Sequence, residues 1–278
     1  MQDRLTTHRR IAAAALALLP CLISPSLRAQ DTTDCFPDRV ASFVPGTYSA
    51  LPGFNTWQPG IVLGPPGDAT PSSGSLRVMS LGNGGSIVLE FTDNEIVDGP
   101  GFDFILFENP FFCTAPPAAA GNPYSVVAEP GIVAASEDGV DFRTFPYDAQ
   151  ALAQVTTLCT DGTLIDRLRG LMGLTPSFTG NYTIPDDPAV FDPAAPGGIS
   201  GHGGDAFDLA TVGLTRARFL RITDSNQAVG LPGSADGLDL DGAVALHSRP
   251  ILPAGVPDGD GDGLSDDAER LLYGTDPA

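Results

Sequence analysis

The chain has 278 residues, a formal net charge of −20 and no lysine among its 14 basic residues. That balance excludes a nucleic-acid binder, which needs a basic face against phosphate, and a polybasic anchor to anionic lipid. With 33 Gly, 26 Pro and 42% hydrophobic residues, it suits an all-β domain with many turns rather than a disordered chain.

Residues 1–29 read as a secretory signal. Arg4, Arg9 and Arg10 form its positive end, and residues 11–23 are an apolar core too short to span a bilayer. Cleavage after Ala29 is expected, placing the protein outside the cell or on its outer surface. Cys21 follows Leu18-Leu19-Pro20, a faint lipoprotein box that the proline argues against. No later stretch is long and apolar enough for a transmembrane helix, so no integral membrane span is expected.

Residues 30–71 are loop-rich and carry Trp57, which fits either a cover over the core edge or a sugar-stacking face. Then SLGNGGSIVLEFTDNEIVDGPGFDFILFEN reads as two strands, 86–91 and 102–108, joined by an acidic, glycine-rich turn. In the second strand Phe102, Phe104 and Leu106 share one face, and Ile105 and Phe107 the other. Both faces are apolar, which predicts a strand between two packed layers. Asp93, Glu95, Asp98, Asp103 and Glu108 crowd around it. Unpaired buried charge is costly, so these acids need a partner, and the chain has few basic side chains to offer.

Residues 126–146 read as a strand, a turn over Ser136-Glu137-Asp138-Gly139, and a second strand; Asp-Gly is a strong hairpin signal. Residues 148–200 form a long surface excursion, with helical turns expected over 149–158 and 164–171. In ARFLRITDSN, Phe219, Arg221 and Thr223 alternate with Leu220 and Ile222. In the last strand, 236–247, Leu238, Leu240, Val244 and Leu246 are expected on one face, with Asp239, Asp241, Ala243 and Ala245 on the other. Short strands between Gly, Pro and Asp turns predict a two-sheet antiparallel sandwich over 30–249. Residues 250–257 read as a stiff linker to a separate segment, 258–278. Beyond the signal, Cys35, Cys113 and Cys159 permit one bridge in alternative pairings. Cys113–Cys159, flanking the middle of the domain, is the favoured pair.

The segment after the linker reads DGDGDGLSDDAE. Counted from Asp258, acids stand at positions 1, 3, 5, 9 and 12, glycine at 6, and a backbone carbonyl is offered by Leu264 at 7. This is the spacing of an EF-hand calcium loop: alternate carboxylates point inward, and Gly263 allows the sharp bend. The predicted ligands are Asp258, Asp260, Asp262, Leu264, Asp266 and Glu269, with Asp267 and Asp276 facing solvent. Position 8 is Ser265 rather than an apolar residue, and no helix is expected before the loop. With the closing Gly274-Thr275-Asp276-Pro277, the segment resembles a bacterial thrombospondin type 3-like repeat.

SLGNGGSIVLEF with DGPGFDFILFEN, AASEDGVDFRTF, and ARFLRITD followed by DGLDLDGAV together resemble galactose-binding-like (discoidin-type) jelly rolls of bacterial cell-surface proteins. The resemblance spans residues 45–247. It implies an eight-stranded jelly roll, often with structural Ca²⁺, that binds an extracellular glycan or surface protein. It also implies a second metal site drawing on Asp98, Asp103 and Glu108, with Asp239 or Asp241 from the last strand. Asp205 and Asp208 form another acidic knot, readable as turn chemistry or as partners of Arg218 and Arg221. No nucleophile elbow and no H-E-x-x-H motif is present, so no catalytic residue is assigned. The expected protein binds calcium and a surface ligand and does not catalyse; the alternative is an extracellular carbohydrate-active hydrolase using paired carboxylates.

Overall fold

A computed structural model describes residues 35–48, 55–67, 73–113, 124–176, 203–227, 237–252, 255–261, 265–270 and 275–277. The expected signal 1–29 with Cys21, residues 177–200 of the 148–200 excursion, and the predicted ligands Asp262 and Leu264 lie outside the described residues.

The strands are short, as the density of turn residues requires. In chain order they are β1 (Arg39–Val44), β2 (Met79–Ser80), β3 (Ser86–Glu90), β4 (Asn94–Val97), β5 (Phe104–Glu108) and β6 (Phe111–Phe112). Then come β7 (Ser125–Val127), β8 (Gly131–Ser136), β9 (Arg143–Thr144), β10 (Cys159–Asp161) and β11 (Leu171–Met172). Last are β12 (Asp205–Phe207), β13 (Arg216–Ala217), β14 (Phe219–Asp224), β15 (Asp239–Ala245) and β16 (Ser248–Pro250). The helices are single turns: α1 (Ala149–Leu152), α2 (Gly162–Arg167) and α3 (Asp266–Ala268). Asp148 caps α1 by accepting from Gln150 and Ala151 N–H, and Asp161 caps α2 by accepting from Thr163 N–H.

The fold is an all-β sandwich of antiparallel sheets. A six-stranded sheet in the order β1-β3-β14-β8-β11, with β9 beside β8, faces a four-stranded sheet in the order β12-β5-β15-β2. Their inner faces form one core: Ile87, Leu89, Val133, Leu220 and Ile222 from the first meet Phe104, Leu106, Phe207 and Leu240 from the second. Two three-stranded ribbons, β13-β4-β16 and β10-β7-β6, complete it. Cys113 and Cys159, the pair favoured from sequence, are disulfide-bonded with Cα atoms 5.9 Å apart. Among the described residues no helix is long and apolar enough to cross a membrane.

β5 has two buried faces, as its sequence predicts. Phe104 and Leu106 enter the main core, while Ile105 and Phe107 pack on Cys35, Phe36 and Val244. Burying each phenyl ring contributes about 2–3 kcal/mol. The strand begins two residues later than expected, leaving Phe102 45% exposed.

Three expectations are corrected. The strands before and after the acidic turn are not neighbours: β3 and β5 lie in opposite sheets, and β4 intervenes. Among the described residues β4 pairs only with β13 and β16, both far along the chain, so no local pattern marks it. The simple alternation in β15 fails because its register against β5 shifts between Leu240 and Gly242. That bulge reverses parity: Leu238 and Leu240 share the main core with Ala243 and Ala245, while Val244 faces the other way. Trp57 is 69% exposed and does not cover the core edge. The linker and the C-terminal segment are hydrogen-bonded to the sandwich. Ile251 N–H donates to Asp93 C=O, and Arg249 Nη1 donates to Gly261 C=O at 2.6 Å.

Candidate functional site

The acids predicted for a second metal site fall at opposite ends of β5. Asp103 precedes the strand and Glu108 closes it, which places them ~17 Å apart along an extended backbone.

At the first end three chain segments meet. β12 pairs with β5 so that Phe207 lies opposite Phe104, which puts Asp208 beside the entry to β5. β15 ends opposite the same residue, Ala245 against Phe104, which brings His247 alongside. Asp103 is fully buried and ties the segments together. Its Oδ1 accepts from Gly99 N–H at 2.7 Å and lies 3.0 Å from His247 Nδ1, and its Oδ2 accepts from Leu209 N–H at 2.7 Å. Its backbone C=O accepts from Leu246 N–H. A side chain at Gly99 would strike the His247 ring, with a Cβ only 2.4 Å from Nδ1, so glycine is required there.

Asp98, Asp103 and Asp208 each bring a carboxylate oxygen within 4.8 Å of the others. Asp98 is exposed, and Asp208 is half-buried while it caps a 3-10 turn by accepting from Ala210 N–H at 2.8 Å. Hard carboxylate oxygens at this spacing suit an oxygen-seeking divalent cation such as Ca²⁺. Asp98 and Asp103 are named by the sequence. Asp208 was readable there as turn chemistry, which it performs, or as a partner of Arg218 and Arg221, a pairing that does not occur. Arg218 instead faces Glu90, at 3.8 Å, and Arg221 lies over the Phe142 ring.

At the other end of β5, Glu108, Asp239 and Asp241 are buried. Glu108 Oε1 accepts from Asp239 N–H at 3.2 Å. Asp239 accepts from Ser80 Oγ and, at 3.3 Å, from Asn109 Nδ2; Asp241 Oδ1 accepts from Gly67 N–H at 3.2 Å. Burial pushes the Glu108 carboxyl well above its ordinary range, and the charges of Glu129 and Asp239 push it further.

The C-terminal loop is closed by its own acids. Asp258 Oδ1 accepts from Gly261 N–H at 2.8 Å, and Asp266 Oδ1 accepts from Gly259 N–H at 2.7 Å, so position 9 of the calcium pattern reaches back to the residue after position 1. Glu269, at position 12, is 1% exposed and its Oε1 accepts from Thr275 Oγ1 at 3.1 Å. Asp260 is exposed, as are Asp267 and Asp276. Every predicted side-chain ligand here is a carboxylate, the donor set Ca²⁺ takes. Arg249 joins this loop to the sandwich, since its Nε also donates to Glu95 Oε1 at 2.7 Å.

Beside the Asp98–Asp103–Asp208 cluster lies a cleft of about 520 Å³, lined by Phe102, Arg169, Thr175, Asp205, Phe207 and Asp208. Asp205 is buried; its Oδ2 accepts from Leu174 N–H at 2.9 Å, its Oδ1 accepts from Thr175 Oγ1 at 2.8 Å, and Arg169 Nη1 lies 3.6 Å away. Burial raises the Asp205 carboxyl, partly offset by Arg169. No protein-family model matches the chain, and no curated protein matches it.

Proposed function

We propose that this is a secreted or cell-surface calcium-binding protein whose β-sandwich acts as a carbohydrate- or surface-binding module. The carrying observation is the C-terminal loop. It combines EF-hand spacing in sequence with a closure in which Asp258 and Asp266 accept from Gly261 and Gly259 N–H. The Asp98, Asp103 and Asp208 oxygens, within 4.8 Å of one another, support a second calcium site. The resemblance to galactose-binding-like jelly rolls and to thrombospondin type 3-like repeats belongs to the same reading.

Binding is favoured over hydrolysis by the state of the acids in the cleft. A glycosidase needs two carboxyls turned toward one bond. Asp205 instead turns its oxygens to Leu174 N–H, to Thr175 and to Arg169.

Calcium that binds only the folded chain raises its stability, by about 2.7 kcal/mol at a hundred times the dissociation constant. Thermal unfolding of the intact protein with calcium and with EDTA tests the reading. A higher melting temperature in calcium is expected, and superimposable curves overturn it. Release of reducing ends from a polysaccharide panel would establish the hydrolase instead.

A further inference from the structure

The cleft beside β12 has the make-up of a small-molecule site: an apolar wall with a few convergent polar groups. The wall is aromatic and rigid. Phe207 stacks on Phe104 with centroids 5.2 Å apart and meets Phe145 edge-on at 5.0 Å. Phe102 stands at the mouth, 45% exposed. Its backbone is held from both sides, by Gly101 in a left-handed turn (φ 93°) and by Asp103 with its bonds to Gly99 and Leu209. The backbone that carries the ring is thus held, which limits the ordering entropy lost there on contact.

The polar groups decide the ligand's charge. Arg169 is the cation lining the cleft, and it is already matched: Nη1 lies 3.6 Å from Asp205, Nη2 lies 3.8 Å from Asp166, and Nη1 donates to Thr175 Oγ1 at 2.9 Å. A carboxylate or phosphate would compete with two acids for that guanidinium, on a chain of net charge −20. A cationic ligand would be drawn by Asp208 and by the net charge of −20, but would face the Arg169 guanidinium inside the cleft. A neutral ring rich in hydroxyls meets neither obstacle: it can donate to Asp208, accept from the remaining N–H groups of Arg169, and lay its C–H face on Phe102.

We propose that this cleft is the saccharide subsite of the sandwich and takes a neutral sugar ring packed on Phe102 between Asp208 and Arg169. The assignment rests on the binding function proposed above. Its test is calorimetric titration of the intact protein, in calcium, with neutral mono- and oligosaccharides and with glucuronate. At least one neutral sugar is expected to bind. Phe102→Ala should weaken it about tenfold, the scale of one lost aromatic contact. Thr211→Trp, at an exposed lining position, should weaken it at least as much by filling the cleft, and both variants should melt like the parent. Trp57→Ala, on another loop, should leave affinity unchanged.

Full affinity in both cleft variants, or loss in Trp57→Ala alone, overturns the cleft while leaving the binding function standing. Tighter binding of glucuronate than of any neutral sugar overturns the ligand class. Failure of every sugar to bind overturns the cleft and the saccharide reading together.

Discussion

The two ends of β5 treat their acids in opposite ways. At the Asp103 end, backbone N–H groups of Gly99 and Leu209 aim at the carboxylate, and two further acids, Asp98 and Asp208, approach from the surface. At the Glu108 end, the acid is buried against Glu129 and Asp239, and its carboxyl is pushed toward the protonated form. Burial, with the charges of neighbouring acids, is what pushes Glu108 toward its proton. Carboxylate density in a sequence therefore does not show which acids come together; the pairing of distant strands does.

The sharpest way to break that contrast is at Asp103. Asp103→Ala strands the buried Leu209 N–H and leaves the part-buried Gly99 N–H and His247 without their acceptor, and should cost about 3 kcal/mol. The shift in urea midpoint measures it, and a loss below ~1 kcal/mol would remove Asp103 as the tie between the segments.

Next is calcium itself, read in a Glu269→Gln background that weakens the C-terminal loop. There Asp98→Asn or Asp208→Asn should lower calcium affinity by about tenfold, or ~1.4 kcal/mol. Asp239→Asn should not change it. The reverse ranking, measured by calorimetric titration, would move the second site to the Glu108 end.

A smaller effect is expected from Glu108→Gln. The raised carboxyl of the folded chain penalises stability fully above its folded pKa and not at all below the unfolded value of 4.5. Removing it should raise the melting temperature by about 2–4 °C at pH 8. The gain should vanish as pH falls to 4.5, and a pH-independent difference would contradict the burial effect. The smallest change is Asp98→Asn without calcium, which at an exposed position should stay within about 0.5 kcal/mol of the parent.

Much of this was legible before any coordinates. The two-faced apolar run of 104–108 announces a strand between layers, because each face must be covered. The alternation of Leu220 and Ile222 with Arg221 and Thr223 is realised directly in β14. The turn at Asp138 forms because its carboxylate accepts from Val140 and Asp141 N–H, a purely local interaction. What escaped has a common cause: β4 exists only through β13 and β16, and the face of Val244 depends on a bulge that is a property of the pairing with β5. His247 gave no signal as a neighbour of Asp103, since 144 residues separate them.

By itself, then, the sequence determined the all-β class, the Cys113–Cys159 pair among its options, and the order of acids in the C-terminal loop. Each follows from spacing within one stretch or from composition. Only the tertiary structure decided which distant acids meet, because β-pairing joins residues by register and not by proximity along the chain. It gathered Asp98, Asp103 and Asp208 at one end of β5, left Glu108 and Asp239 at the other, and opened the cleft between Phe102 and Arg169.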